Sequence, residues 1–187
     1  MPSQTNEQAL EAAIEKKLTG TTLEEIRELG VAGGVAEAAA PYRSGNGYWL
    51  GQAHDFNKEY AIDEKRFWHF INETQSEELE KLKGQPQWEL RVIQRLDRMI
   101  KKHGVIHLLR KGLEVDDAFF TLMYPFPLAS SSQEVKEDFE RNEFSATRQV
   151  CYSNLNPREE IDMVLFINGL PIITMELKNH WTGQTAR

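Results

Sequence analysis

The sequence is poor in the residues that build cross-links and membrane segments. Cys151 is the single cysteine in 187 residues, which excludes an internal disulfide. The histidines, at positions 54, 69, 103, 107 and 180, show no Cys/His spacing typical of zinc sites. No apolar run approaches the roughly 18 residues of a membrane span, and the N-terminus lacks the apolar core of a signal peptide. We therefore expect a cytoplasmic protein without membrane contact.

Positive charge is also scarce. The chain has 22 Lys and Arg against 29 Asp and Glu, which gives a formal net charge of -7. Binding DNA through a broad basic surface requires clustered cations, so any nucleic-acid contact must be local or be supplied by other domains. One basic stripe lies opposite the apolar face of a predicted helix. It consists of Arg91, Arg95, Arg98, Lys101 and Lys102, and is either a solvated face, a DNA contact or a docking surface.

Apolar periodicity places helices first and strands last. Helices are predicted near 6–18, 22–29, 64–71, 77–83 and 89–102, with a Gly- and Ala-rich loop over 31–51. Strands are predicted at 118–124 and 148–153 and in a hairpin over 161–178. We expect an N-terminal helical part, 1–104, and a sheet core, 105–187, that together form one compact domain. The predicted class is α/β, with a mixed, mainly antiparallel sheet flanked by helices.

The hairpin carries charges on otherwise apolar strands. Asp162 begins the first strand, and Glu176 and Lys178 lie near the end of the second. Asn168-Gly169 is a strong turn signal. A two-residue turn pairs Asp162 with position 175 and sends it away from Glu176, whereas an odd-length loop or a bulge brings both carboxylates to one face. We predict the odd-length loop or the bulge.

Two neighbouring carboxylates and a lysine favour one chemistry. Like charges at close range are hard to keep ionised, and a divalent cation removes that problem. Mg²⁺ binds through one or two carboxylates together with water and phosphate oxygens. Lys178 can then orient or deprotonate the attacking water and neutralise charge on the phosphate. The pattern suits phosphodiester hydrolysis, although many unrelated hairpins carry the same residues as a surface salt bridge.

Longer motifs follow one another along the chain. Arg148-Gln149-Val150-Cys151-Tyr152-Ser153 precedes the run Ile161 to Pro171, and Glu176-Leu177-Lys178-Asn179 precedes Gly183-Gln184-Thr185. Upstream lie Phe56 to Asp63, then Phe67, Phe70-Ile71 and Thr74-Gln75, and then Gly104-Val105-Ile106 with Leu109 to Gly112. Taken in chain order, these motifs resemble the N-terminal endonuclease region of type I restriction enzyme R subunits. The resemblance covers nearly the whole chain and is weakest over 31–51.

The resemblance implies a restriction-endonuclease-like core of the PD-(D/E)xK type. Asp162 and Glu176 match its metal-binding acids and Lys178 its catalytic lysine, with Mg²⁺ as the cofactor. Members often have a further acid on the first helix, for which Glu11 is the best match and Glu7 and Glu15 are alternatives. The implied activity is that of a type I site-specific deoxyribonuclease acting on double-stranded DNA.

The resemblance also implies a larger assembly. In the family, ATP-driven, helicase-like motor domains follow the nuclease, yet no Gly-x-x-x-x-Gly-Lys-Ser/Thr loop occurs in this sequence. Nine residues follow Lys178, too few to reach the family's Gln-x-x-x-Tyr motif. We expect a front fragment, truncated on the C-terminal side of its nuclease core, with ATP bound by the missing motor domains. Expected partners are double-stranded DNA, those motor domains, and methylation and specificity subunits.

Other interpretations stay open. The chain is alternatively a stand-alone PD-(D/E)xK nuclease, or a non-catalytic docking module whose acids and lysine form a structural salt bridge. His180 is a candidate phosphate contact, although a loop histidine without function is commoner. His103 and His107 have the spacing of a helical metal pair, but Gly104 ends the helix between them and argues against one.

Overall fold

The computed structural model describes residues 3–33, 43–44, 47–156 and 158–177. Its α-helices are α1 (Ser3–Thr19), α2 (Leu23–Gly33), α3 (Glu64–Thr74), α4 (Ser76–Lys83), α5 (Trp88–His103), α6 (Val105–Lys111) and α7 (Gln133–Glu140). Its strands are β1 (Arg43–Ser44), β2 (Tyr48–Leu50), β3 (Phe56–Asn57), β4 (Ile62–Asp63), β5 (Leu113–Val115), β6 (Ala118–Phe120), β7 (Phe144–Cys151), β8 (Glu160–Ile167) and β9 (Leu170–Met175). None of these helices has the length and apolar character needed to cross a membrane.

Contacts divide the chain into two compact units, each assembled from separate segments. The first unit comprises 1–54, 144–165 and 173–187, and the second comprises 55–143 and 166–172. The α/β class is confirmed, and the main sheet is mixed, in the order β1-β2-β7-β8-β9. Strand β2 runs antiparallel to β1 and parallel to β7. The expected division at residue 104 stays a prediction.

In the first unit, a helix packs on the sheet. Helix α1 lies against β7 and β2. Helix α2 begins where Thr22 caps it, since the Thr22 hydroxyl accepts a hydrogen bond from the Glu25 backbone N–H at 3.2 Å. The predicted loop over 31–51 is wrong in part, because α2 continues to Gly33 and β2 occupies 48–50. A three-residue strand in a Gly-rich stretch has too little periodicity to be seen in the sequence.

The second unit packs helices around small two-stranded sheets. Its core includes Phe67, Phe70 and Ile71 of α3, which share the predicted face. The sequence predicts an apolar face on α5 that consists of Leu90, Ile93, Leu96 and Ile100. The buried residues of α5 are Val92, Ile93 and Leu96, whereas Leu90 is 41% exposed, so the buried face is rotated from the predicted one. The sequence predicts Ser76 as the cap of a helix over 77–83, but α4 begins at Ser76, and Gln75 occupies the cap position without a side-chain hydrogen bond.

Asp63 caps α3 as its sequence position predicts. Its Oδ1 accepts a hydrogen bond from the Arg66 backbone N–H at 3.0 Å, and its Oδ2 lies 3.5 Å from Arg66 Nε. The side chain is 2% exposed. Burial raises the pKa of Asp63 to about 6, against the lowering effects of the Arg66 backbone hydrogen bond and the Arg66 charge.

This raised pKa predicts a pH dependence of stability. The folded chain holds the Asp63 proton up to about pH 6, whereas the unfolded chain loses it near 3.8. The associated stability is therefore fully present below pH 3.8 and is lost as the pH rises through 6, by up to about 3 kcal/mol. Asp63→Asn keeps the capping oxygen without the charge. Urea unfolding from pH 4 to 6.5 should show wild type losing stability relative to this variant, and parallel curves would contradict the assignment.

The Asn168-Gly169 turn is buried rather than solvated. Asn168 is 1% exposed; its Oδ1 accepts from the Glu143 backbone N–H at 2.7 Å, and its Nδ2 donates to Leu122 O and Asn142 Oδ1, both at 2.9 Å. The Gly169 carbonyl accepts from the Asp63 backbone N–H at 2.9 Å. The amide of Asn168 thus satisfies several buried backbone groups at once.

Candidate active site

The hairpin turn differs from the prediction. Strand β8 ends at Ile167 and β9 begins at Leu170, so Asn168 and Gly169 form a two-residue connection. Both have positive φ, 50° and 79°, as a type I′ turn requires. The predicted odd-length loop is therefore wrong, and a regular pairing from this two-residue turn would place Asp162 opposite Met175 and away from Glu176. The bulge, which is the other predicted way to bring both carboxylates to one face, stays a prediction. Asn168 tolerates the left-handed conformation because its amide is held by the hydrogen bonds described above.

Asp162 contacts the end of β9 through the backbone. Its Oδ2 accepts a hydrogen bond from the Leu177 backbone N–H at 2.5 Å. Asp162 is half-buried, whereas the neighbouring Glu176 is exposed and follows the last residue of β9. The carboxylate of Asp162 is thus fixed at Leu177, directly after Glu176. Lys178 and His180 lie outside the described residues.

A buried ionic cluster lies between α1, α2 and β7. Arg148 of β7 is 6% exposed, and its Nε lies 3.3 Å from Glu11 Oε2. Its Nη1 lies 3.2 Å from Glu15 Oε2 and 3.0 Å from Glu24 Oε2. Glu15 Oε2 also accepts from the Leu23 backbone N–H at 3.2 Å. One guanidinium therefore holds three carboxylates, two of which are buried.

The electrostatics of the cluster differ from one acid to the next. Burial raises the pKa of Glu11, Arg148 lowers it, and the nearby Asp162 raises it. Burial likewise raises the pKa of Glu15, against the opposing charge of Arg148. Glu15 Oε1 is buried without a hydrogen-bond partner among the described residues. The single Arg148 guanidinium thus does not offset the effect of burial on the pKa of Glu11 and Glu15, whereas the pKa of the exposed Glu24 is lowered.

The three candidates for the accessory acid lie along helix α1 and differ in burial. Glu11 is buried, is paired with Arg148 and is influenced by Asp162. Glu15 is completely buried one helical turn further along α1, and Glu7 is half-buried one turn before Glu11. The choice among the three acids stays a prediction.

The donor chemistry fits a hard divalent cation. Within the described ranges, no group of three or more His, Cys, Asp or Glu side chains is close enough to hold a metal ion. Mg²⁺ does not require such a group, since it binds through one or two carboxylates and completes its shell with waters and phosphate oxygens. Asp162 and Glu11 are carboxylates close enough for Asp162 to raise the Glu11 pKa. A cation between them would relieve that repulsion.

Three arginines of the predicted basic stripe line a groove along α5. Arg91, Arg95 and Arg98 border a groove of about 610 Å³ along α5, together with Gln94, Glu114, Val115 and Asp116. Arg91 Nη2 pairs with Asp116 Oδ2 at 2.6 Å, and Arg95 Nε donates to the Glu114 carbonyl at 3.2 Å. Acidic side chains thus reduce the positive charge of this groove. A DNA contact here stays a prediction.

Two further features were missed or underestimated in the sequence. Arg148 belongs to a family-like motif, and an arginine in an apolar strand by itself indicates a buried ion pair. The signal for its partners is Glu11 and Glu15, which lie four residues apart on one face of α1. The rings of His103 and His107 stack with centroids 4.9 Å apart, and both residues are exposed.

The mixed sheet, the helix packed on it and the acids near Asp162 define an α/β protein with a candidate acidic site. A family model described as type I restriction enzyme R protein N terminus matches residues 51–187. The chain belongs to this family, and hence to the R subunits of type I restriction systems. Neither a curated protein nor a solved structure matches the chain. Helix α1, with Glu11, precedes the matched residues.

Proposed function

We propose that this chain is a Mg²⁺-dependent endonuclease that hydrolyses phosphodiester bonds of double-stranded DNA. It forms the N-terminal part of the ATP-dependent, DNA-translocating R subunit of a type I restriction enzyme, with a PD-(D/E)xK core. Family membership supports the restriction context. The observation that carries the chemistry is the hydrogen bond from the Leu177 backbone N–H to Asp162 Oδ2, which holds the Asp162 carboxylate at the residue that directly follows Glu176.

Each side chain has a distinct part in this proposal. Asp162 and Glu176 bind the cation, with Glu11 as the accessory acid. The backbone N–H of Leu177 orients the Asp162 carboxylate through its Oδ2. Lys178 neutralises charge that develops on the phosphate and orients the attacking water. When bound, Mg²⁺ supplies Lewis acidity at the phosphate and lowers the pKa of water.

The wider assembly supplies what this chain lacks. With a formal charge of -7, the chain is unsuited to holding DNA through its general surface. We assign most DNA binding to the motor domains of the same polypeptide, which also bind ATP, and to the methylation and specificity subunits. Arg91, Arg95, Arg98 and His180 are secondary candidates for DNA contact. This assembly acts in the cytoplasm.

A cation-dependent stability measurement separates the nuclease from a docking module. A cation at ten times its Kd stabilises the folded chain by about 1.4 kcal/mol, which raises the Tm by roughly 3–5 °C. We expect Mn²⁺ or Mg²⁺ to produce this shift in wild type and not in Asp162→Asn. The measurement is thermal unfolding of the chain with and without the cation.

The matched control is Asp138→Asn. Asp138 lies on α7 and pairs with Arg141 at 3.4 Å, so its loss should leave the cation response intact. In a docking module, Asp162→Asn would lower the Tm equally with and without cation. That result would remove the metal site and favour the structural salt bridge.

A further inference from the structure

The groove along α5 holds three arginines whose charges are offset to different degrees. Arg91, Arg95 and Arg98 lie on one face of the helix, at successive spacings of four and three residues. Arg91 Nη2 pairs with Asp116 Oδ2 at 2.6 Å, so a carboxylate offsets its charge. Arg95 is half-buried, and its Nε donates to the Glu114 carbonyl oxygen at 3.2 Å. Arg98 is exposed and pairs with no carboxylate of the described residues.

Arg95 and Arg98 therefore carry positive charge that no ion pair within the described part of the chain offsets. Residues three apart on a helix are neighbours, and like charges at this spacing repel each other. The carbonyl hydrogen bond orients the Arg95 guanidinium without supplying a counter-charge. The Glu114 side chain also lines the groove, but it forms no ion pair with either arginine. A bound anion would offset both guanidinium charges and relieve their repulsion.

The lining of the groove is polar rather than apolar. Val115 is the one apolar side chain among the described residues that border it, and the others are charged or amide side chains. Protein–protein interfaces have an apolar core, whereas protein–DNA interfaces are more polar and more positively charged. A guanidinium also forms two parallel hydrogen bonds with the oxygens of one phosphate. The groove therefore fits a phosphodiester backbone better than a protein segment.

We propose that this groove binds the phosphodiester backbone of DNA through Arg95 and Arg98, while Asp116 withholds Arg91 from the contact. The inference rests on the proposed function, because DNA is the substrate proposed for the chain. Asp116 lies in the turn between β5 and β6, has a φ of 51°, and reaches α5 from this turn. Two arginines give a local contact of the kind that a chain with a formal charge of -7 can make with DNA.

The test measures binding of a fluorescein-labelled DNA duplex to the chain by fluorescence anisotropy at several salt concentrations. A chelator removes divalent cations, so the measurement does not depend on the proposed metal site. We expect Arg95→Gln and Arg98→Gln each to weaken binding by roughly tenfold. Each should also reduce the magnitude of the slope of log affinity against log salt by about 0.9, and the double variant by about 1.8. Arg141→Gln removes an exposed arginine that caps α7 outside the groove, and should change neither quantity.

Asp116→Asn gives the opposite expectation. Removal of the carboxylate releases Arg91 for a further phosphate contact, so binding should become tighter by roughly tenfold. The salt dependence should steepen by about 0.9. Asparagine adopts a positive φ as aspartate does, so the turn is kept, and a misfolded protein would not gain affinity. Unchanged or weaker binding in this variant would overturn the role given to Asp116.

The remaining outcomes separate this groove from the nuclease. Absence of duplex binding by wild type, or wild-type affinity and salt slope in the Arg95→Gln/Arg98→Gln variant, overturns the inference. Competition by poly-glutamate that equals competition by unlabelled duplex of the same charge also overturns it, and assigns the groove to an acidic protein partner. If the groove variants behave as expected but the chain shows no cation-dependent stabilisation, the proposed nuclease is wrong and the DNA contact stands.

Discussion

In the complete restriction complex, Lys178→Ala is expected to lose DNA cleavage by on the order of 100-fold or more while ATP hydrolysis continues. The physical reason is that the proposed Lys178 ammonium, held next to the scissile phosphate, stabilises negative charge that appears only in the transition state. Loss of such a group lowers kcat rather than binding. Supercoiled-plasmid cleavage with ATP, the methyl donor and Mg²⁺ measures the first quantity, and phosphate release measures the second.

The control for this experiment is Lys111→Ala. Lys111 is an exposed lysine at the end of α6, and its loss should change neither cleavage nor ATP hydrolysis. If Lys178→Ala cuts like wild type, the assignment of the lysine is wrong and the docking module becomes the better explanation. If both activities are lost together, Lys178 acts on folding or assembly rather than in a separate nuclease centre.

Gly169→Ala is expected to destabilise the second unit by on the order of 4 kcal/mol. A Cβ at this position would lie 2.4 Å from the Asp63 carbonyl oxygen and 2.6 Å from the Phe67 backbone nitrogen. Both are backbone atoms, so no side-chain rotation relieves the contact. The φ of 79° adds strain for any residue with a side chain. Urea unfolding of the two proteins measures the difference.

Gly104→Ala separates strain from contact. Gly104 lies in the same unit and has a φ of 83°, but a Cβ there would meet nothing within 4 Å. Gly104→Ala should therefore lose only the free energy of unfolding that backbone strain costs. Gly169→Ala should lose at least about 2 kcal/mol more than Gly104→Ala does. Equal losses in the two variants would show that the turn is not closely packed.

Local sequence signals predicted those parts of the fold that depend on nearest neighbours. The cap at Asp63, the buried face of α3 and the turn at Asn168-Gly169 follow from residues within one turn or one strand. The length of that turn was predicted wrongly because a meeting of Asp162 with Glu176 was given more weight than the preference of the Asn-Gly pair. Turn geometry is set by the residues themselves, and Asn-Gly favours the two-residue form.

The candidate site was only partly predictable for a different reason. The family motif supplied Asp162, Glu176 and Lys178, and Glu11 was a match by position on the first helix. Arg148 and Glu11 are separated by 137 residues, and no local pattern joins them. Long-range ion pairs become visible only when the tertiary structure brings the strand and the helix together.

That separation along the chain also affects the order of synthesis. At roughly 5–20 residues per second, the ribosome adds Arg148 about 7 to 27 s after Glu11. Throughout this interval the Arg148 guanidinium, which compensates Glu11 and Glu15 in the folded chain, has not yet been synthesised. Both carboxylates are therefore more stable in water than in an apolar interior. We expect the nascent first unit to stay open until β7 emerges, which exposes its apolar surfaces to chaperones and proteases for many seconds.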